Sequence, residues 1–209
     1  MPIKPLSAGP LLVSDAPTLR TSAGEPVAVN EPYALCRCGA SKNKPFCDGR
    51  HKEIGYSDTR EIDTENHRSK AYTGEAVTVQ DNRTICAHAG HCIKELPSVF
   101  DAKGRPWVRP DEASQEEVVA LAQRCPSGAL TAYVNGERID RQDLPVQITI
   151  LEDGPYRVDG ALAIECDDEL LPPVADRYVL CRCGASKNKP YCDGSHLKLE
   201  AGWGALAGE

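Results

Sequence analysis

Two sets of residues in this chain share a spacing suited to metal chemistry. Cys36, Cys38, Cys47 and His51 read C-x-C-x8-C-x3-H, and Cys181, Cys183, Cys192 and His196 repeat that spacing. Cysteines one residue apart bind one centre well when a turn aims both thiolates at it. Three thiolates and one imidazole suit tetrahedral zinc and an iron–sulfur cluster alike, so the spacing alone leaves both open. A third set is Cys86, Cys92 and Cys125-Pro126, with His88 and His91 beside it.

The elements that position these residues are repeated too. Tyr33 to His51 and Tyr178 to His196 differ at three of nineteen positions: Ala34/Val179, Phe46/Tyr191 and Arg50/Ser195. The offset of 145 residues also aligns Gly9-Pro10 with Gly154-Pro155, Val13 with Val158 and Leu19 with Ile164. A module of some 45 to 50 residues therefore occurs twice and brackets a segment of different character. Gly-Pro followed by short β-branched alternations predicts small strands. Gly39/Gly184 and Pro45/Pro190 suit a loop that folds over a metal centre. Asp48-Gly49 and Asp193-Gly194 predict a turn into a helix, with Asp capping free N–H groups and His on the first turn.

The string C-R-C-G-A-S-K-N-K-P-[FY]-C-D-G-x-H resembles the CDGSH iron–sulfur (NEET) family. That resemblance implies a [2Fe–2S] cluster held by Cys36, Cys38, Cys47 and His51, and a second held by Cys181, Cys183, Cys192 and His196. It also implies a redox-active, pH-labile cluster that can be passed to an acceptor. A lone imidazole ligand takes a proton near neutrality, whereas thiolates leave only in strong acid. The second copy matches the family pattern through Ser195, while the first carries Arg50 there, a cation beside His51. A higher reduction potential or a different acid lability is expected of the first site.

In the middle segment the sequence predicts a strand at 76–80 and a Cys86 loop leading into a helix near 91–96. It then predicts an extended stretch at 106–108 and a capping box, Ser114 to Glu117, opening a helix to about Gln123. A closing strand follows at 130–134. This order, with a Cys-Pro ending the last helix, is similar to a small single-cluster ferredoxin. Cys86 and Cys92 take the outer positions of C-x2-C-x2-C, Ala89 stands in the middle, and Cys125 is the distant ligand. The resemblance implies a [3Fe–4S] cluster, or a [4Fe–4S] cluster whose last iron takes His88, His91 or water. The plain alternative is three packed cysteines on a ferredoxin fold that has lost its cluster. His67 carries no motif and is expected in solvent. Cys166 has no partner spacing and is expected to pack as a small hydrophobe. The lysines of 41–44 and 186–189 suit either a solvated loop or a docking patch for an acidic partner.

The chain has 209 residues, a net charge of −7, 41% hydrophobic and 5% aromatic residues, and ten cysteines. The acidic balance argues against nucleic-acid binding. No apolar run approaches membrane-span length, and the start of the chain has neither a signal-peptide nor a transit-peptide pattern. The expectation is a cytoplasmic protein, where clustered cysteines bind metal rather than form disulfides. The fold expected is α+β, built of small metal-stapled modules: CDGSH type at 1–68, ferredoxin-like at 69–140, and CDGSH type again at 141–209. The two CDGSH modules are expected to form a pseudo-twofold β-rich pair within one monomer, as homodimeric single-motif relatives would when fused. No nucleophile–base pair or phosphate loop stands out, so an electron carrier or cluster-binding protein is expected rather than an enzyme. Its partners would be redox proteins or apo-acceptors. Alternatives are cluster storage, transfer or sensing, and a zinc-stapled interaction module.

Overall fold

The computed structural model describes residues 2–15, 17–62, 69–166, 172 and 174–207. His67 lies outside them. The chain divides into one unit made of 1–62 with 144–209, and a second unit, 63–143.

The first unit contains both repeats. The first copy supplies β1 (Pro2–Pro5), β2 (Leu11–Val13), β3 (Thr18–Thr21) and β4 (Tyr33–Leu35). The second copy supplies β9 (Gln147–Ile150), β10 (Tyr156–Asp159), β11 (Ala163–Ile164) and β12 (Arg177–Leu180). They form two sheets, ordered β11-β1-β2-β4 and β12-β10-β9-β3. Each sheet thus takes three strands from one copy and borrows its parallel edge strand from the other. Ile3 pairs with Ile164 and Leu19 with Ile148, and all four are buried. This is the expected pseudo-twofold pair, joined by strand exchange.

Why the copies need one another follows from their size. Strands of two to four residues present alternating apolar positions that one copy cannot cover. Leu11, Val13 and Leu35 join Ile148, Ile150, Val158 and Leu180 in one core. The few aromatic residues concentrate there: Tyr33 meets Phe46 and Tyr178 meets Tyr191, edge to face with centroids 6.4 and 6.2 Å apart. These equivalent pairs sit where each ligand loop returns to its sheet.

The second unit is an antiparallel sheet, β5 (Lys70–Thr73), β6 (Thr78–Asp81), β7 (Leu130–Val134) and β8 (Glu137–Arg138), in that order. Between β6 and β7 come α2 (His91–Glu95) and α3 (Gln115–Arg124), while α1 (Arg50–Glu53) belongs to the first unit. The Ser114 and Glu117 capping box starts α3, whose buried Val118, Leu121 and Ala122 share one face. Strand β6 runs one to two residues later than the sequence predicts. Residues 106–108 form no strand, only a single bridge from Val108 to Phe100. Their aromatic ring packs by side chain instead, Trp107 lying 5.6 Å from Phe100. No helix among the described residues is long and apolar enough to cross a membrane.

Candidate metal centres

Each CDGSH-type loop leaves its sheet at β4 or β12 and returns through a bridge at Phe46 or Tyr191. The two arms are closed by Cys36 N–H to the Pro45 carbonyl (2.8 Å) and Cys181 N–H to the Pro190 carbonyl (2.9 Å). Asp48 accepts hydrogen bonds from the N–H groups of Lys42 and Arg50, and Asp193 from those of Lys187 and Ser195. The Asp therefore caps from one position before the N-cap, which is Gly49 or Gly194. The second helix is only a 3-10 turn, Ser195–Lys198. These bonds outweigh burial at Asp193 and hold its carboxyl below the usual range.

The donors fall into close pairs. Cys36 Sγ and Cys38 Sγ are 3.7 Å apart, and Cys181 Sγ and Cys183 Sγ are 3.8 Å apart. Cys47 Sγ lies 3.4 Å from His51 Nδ1, and Cys192 Sγ 3.3 Å from His196 Nδ1. Two thiolates about 2.3 Å from one tetrahedral metal stand about 3.8 Å apart, and a thiolate–imidazole pair about 3.5 Å. Each loop thus presents two pairs, each spaced for one metal atom. Among the described residues, no three Cys, His, Asp or Glu side chains gather as around a single ion. The donor set fits an iron–sulfur centre held by both pairs. Gly49 and Gly194 N–H groups each donate to the nearby cysteine sulfur at 3.4 Å, as does Ala185 N–H to Cys183.

Within each cysteine pair the sulfur–sulfur hydrogen bond lowers one thiol and raises the other. Cys36 is lowered to about 6 and Cys38 raised, whereas Cys183 is lowered and Cys181 raised. The copies place the proton on opposite members. What they share is that easing the proton from one thiol holds it on the other, because a second negative charge so close is unfavourable without a cation between them. Metal binding supplies that cation and releases the remaining protons.

The two loops abut. Cys38 and Cys183 form an isolated antiparallel bridge. Tyr156 reaches from the second copy into the first, its hydroxyl donating to the carbonyls of Cys36 (2.8 Å) and Pro45 (3.1 Å). Its counterpart by the repeat offset is Leu11, so this crossing is one-sided.

The arginine between the paired cysteines is a functional residue that motif reading passes over. Arg37 Nε donates to the Gly9 carbonyl at 2.6 Å, and its NH2 pairs with Asp58 at 2.8 Å. Arg182 donates to the carbonyls of Gly154, Gly204 and Leu151 at 2.7 to 2.9 Å. Both side chains are buried and tie the ligand loop to the β1–β2 or β9–β10 turn. Their identity in both copies was the available signal. The loop lysines also divide: Lys187 is exposed, but Lys189 is buried and donates to the Ser186 carbonyl at 2.6 Å. The solvated-loop expectation therefore fails for Lys189, because its ammonium satisfies the turn's own carbonyl. Cys166 is partly buried against the core.

Arg50 opens α1 next to His51, its Nε 3.9 Å from Asp48 Oδ2. A cation there favours added negative charge on a neighbouring centre. Redox titration of each site, isolated by substituting the other site's His, is expected to give the higher potential at the first. Arg50→Ser should lower that value by tens of millivolts, on the order of a partly screened charge contact. Coincident curves that ignore Arg50→Ser would refute this.

In the second unit, the three cysteines converge by different routes. A 3-10 turn at Arg83–Ile85 delivers Cys86, the first turn of α2 presents Cys92, and Cys125 caps the C-terminus of α3. All three line a small cleft of about 30 Å³ together with His88, Ala89, His91, Trp107 and Leu121. Burial pushes the Cys86 and Cys92 thiols up, and the charge of Cys125 beside them adds to the rise. His91 Nδ1 pairs with Glu95 at 2.6 Å, and Arg124 holds the same carboxylate at 2.7 Å. Both His88 and His91 are exposed at the cleft rim. Arg83 stacks 3.7 Å above Trp107 and approaches Cys86 Sγ to 3.9 Å, placing a cation at the edge of the thiol cluster.

Two exchanged β modules with repeated ligand loops, and a third module with a cysteine cleft, define the class: an iron–sulfur protein. Comparison with known families agrees. The model described as "iron-binding zinc finger CDGSH type" matches residues 8–52 and 153–197, and that described as "divergent 4Fe-4S mono-cluster" matches 72–135. Uncharacterized protein YjdI of Escherichia coli strain K12 is 43% identical over 61 residues, 29% of this chain and 80% of the relative. The YjdI protein of Escherichia coli O157:H7 matches equally. No solved structure matches the chain. The chain belongs to the CDGSH iron-binding family, with two such modules flanking a divergent 4Fe–4S mono-cluster domain.

Proposed function

We propose that this protein is an electron carrier that relays electrons through two [2Fe–2S] clusters and a third, [3Fe–4S] or [4Fe–4S], cluster. The observation that carries the reading is the spacing of donors as metal-sized pairs, found twice with independent side chains. Cys36 and Cys38 would hold one iron of the first cluster, and Cys47 and His51 the other. Cys181 and Cys183, then Cys192 and His196, would do the same in the second copy. Cys86, Cys92 and Cys125 would hold the third cluster, with His88, His91 or water at a fourth iron if one is present. Such clusters supply one-electron chemistry tuned by charge, hydrogen bonding and exposure. Here the loop N–H groups, Arg182 and Arg83 place positive potential around the sulfurs.

The module boundaries we adopt are 1–68, 69–140 and 141–209. The setting we propose is a reducing cytoplasm, with redox proteins or apo-acceptors as partners. The strand exchange within the chain supports a monomer. Light scattering is expected to give one chain's mass, and a mass of two chains would contradict it.

A second reading, cluster storage or delivery, draws on the one-histidine donor set and the part exposure of His51. Reductive titration separates the two: stable cycling supports a relay, and cluster loss to an apo-acceptor supports delivery. The deciding measurement is iron and acid-labile sulfide in aerobically and anaerobically purified protein. About four irons per chain are expected from the pair alone, rising to about seven with a [3Fe–4S] or eight with a [4Fe–4S] centre. Zinc without sulfide, in a colourless protein, would overturn the proposal in favour of a zinc-stapled interaction module.

A further inference from the structure

The two ligand loops are nearly identical in sequence, yet their surroundings are not. His51 and Cys47 are part-exposed, whereas His196 and Cys192 are 8% and 3% exposed. The cover over the second site comes from the segment after it, residues 199–207. Trp203 lies with its ring centroid 6.5 Å from that of His196 and stacks 4.9 Å from the Arg182 guanidinium. No such ring contact is made by His51 among the described residues. The segment is held by a set of polar contacts. Asp153 Oδ2 accepts from Gly202 N–H at 2.6 Å and Oδ1 from Gly204 N–H at 2.9 Å. Arg182 NH1 donates to the Gly204 carbonyl at 2.7 Å. Further on, Ala207 N–H donates to the Lys44 carbonyl at 2.8 Å, and Leu206 packs on the core.

The tail contact is mirrored at the first site, where Glu61 N–H donates to the Lys187 carbonyl at 2.9 Å, but the Asp153 bonds and the ring against the histidine have no counterpart there among the described residues. By the repeat offset, Asp153 corresponds to Ala8 and Gly202-Trp203-Gly204 to Ser57-Asp58-Thr59. There Arg37, which also donates to the Gly9 and Leu6 carbonyls, pairs with Asp58, and its aromatic neighbour is Tyr56, 5.6 Å away and buried. Tyr56 N–H donates to the His51 carbonyl, leaving the imidazole edge part-exposed.

We propose that Asp153, Arg182 and Trp203 latch residues 199–207 over the second site, so that the first site exchanges its cluster and the second retains it. The inference rests on the cluster-binding reading of both loops. It makes the protein a carrier with one open and one closed position. Access of water and of an acceptor's thiolates to the Cys–His pair sets how fast a cluster leaves, and the latch restricts that access at His196 only. Opening the segment means breaking the Asp153 bonds and lifting Trp203 from Arg182.

The test is iron extraction from the fully loaded protein by an excess of bipyridyl with dithionite, followed by absorbance at constant pH. Two phases are expected from the CDGSH pair. The fast phase should be missing from His51→Ala and the slow one from His196→Ala. Trp203→Ala should speed the slow phase about tenfold or more, as loss of a half-buried indole would. Asp153→Asn, which keeps the side-chain shape but loses one acceptor, should speed it less and leave the fast phase alone. Hydrogen exchange on the loaded protein gives a readout apart from extraction: the Gly202 and Gly204 amides should be protected, and Asp153→Asn should release them. A single phase for both sites, a slow phase belonging to the first site, or a slow phase indifferent to both variants would overturn the latch alone. Loaded protein containing no iron or sulfide in either loop would overturn the cluster reading with it.

Discussion

Replacing Gly39 with alanine is expected to disable both CDGSH-type loops, not only its own. Gly39 has φ +78, and a Cβ added there would stand 2.4 Å from the Cys183 carbonyl oxygen and 2.9 Å from its carbon. Gly184 mirrors it, with φ +81 and the Cys38 carbonyl oxygen 2.5 Å away. The obstructing atoms are backbone and lie next to paired cysteines, so they cannot swing aside as a long side chain would. The Cys38–Cys183 bridge carries any displacement from one ligand pair into the other. Left-handed strain on a residue with a Cβ costs roughly 1–2 kcal/mol, and the clash should bring the total to about 3–5 kcal/mol. Iron content, visible absorption and the denaturation midpoint would read the effect, with loss expected at both sites for Gly39→Ala and for Gly184→Ala. Gly24→Ala is the control, since Gly24 has φ +87 and open space around its missing Cβ. It should lose a little stability and no iron. Full iron occupancy in Gly39→Ala would show that the close approach does not hold the loops.

Arg182→Met is the second large effect. The guanidinium is 1% exposed and serves three carbonyls, those of Leu151, Gly154 and Gly204. Methionine fills much of the volume but takes this donor from the Gly154 and Gly204 carbonyls, while the Leu151 carbonyl keeps only the Gly154 N–H. Hydrogen bonds to a charged group contribute about 1.5–3 kcal/mol each, and unpaired buried acceptors add their desolvation cost. A net loss of about 3–5 kcal/mol is expected, the size found when one partner is removed from a buried charged network. Lysine should not rescue it, because a single ammonium cannot reproduce the forked donors that reach two turns at once. Arg37→Met should cost a similar amount, because it strips the Gly9 carbonyl and the Asp58 carboxylate of their donor. Calorimetry would register the drop in the unit made of 1–62 and 144–209, while the α3 amides of the middle unit keep their hydrogen-exchange protection. Wild-type stability in Arg182→Lys would sink the argument.

How much of this was legible in the chain depends on the range of the interactions involved. Cys36, Cys38, Cys47 and His51 are brought together by a loop of sixteen residues, Cys36 to His51. Its Asp cap and sulfur-directed amides act across two to six positions. Local chemistry of that kind is written in motif spacing, and the internal repeat made it plain. The α3 capping box and the Cys125 cap were readable for the same reason. Lys189 was misread because its burial depends on neighbours distant in sequence, Tyr56 among them, its ring 5.9 Å from the ammonium. Residues 106–108 were misread because their apolar, β-prone composition serves ring packing on Phe100 rather than a sheet ladder.

The sequence by itself determined the donors, their repetition, the three-module order and the sulfur-based chemistry, since each follows from residue type and short spacing. Only the tertiary structure decided that β3 and β11 change places between the copies, and that Cys38 and Cys183 meet. It alone decided that one site lies under Trp203 while the histidine of its near-identical twin is part-exposed. Those outcomes rest on contacts between residues far apart in the chain, such as Ile3 with Ile164 and Tyr156 with Cys36. Such contacts are selected by the shared burial of strands too short to cover their own apolar faces.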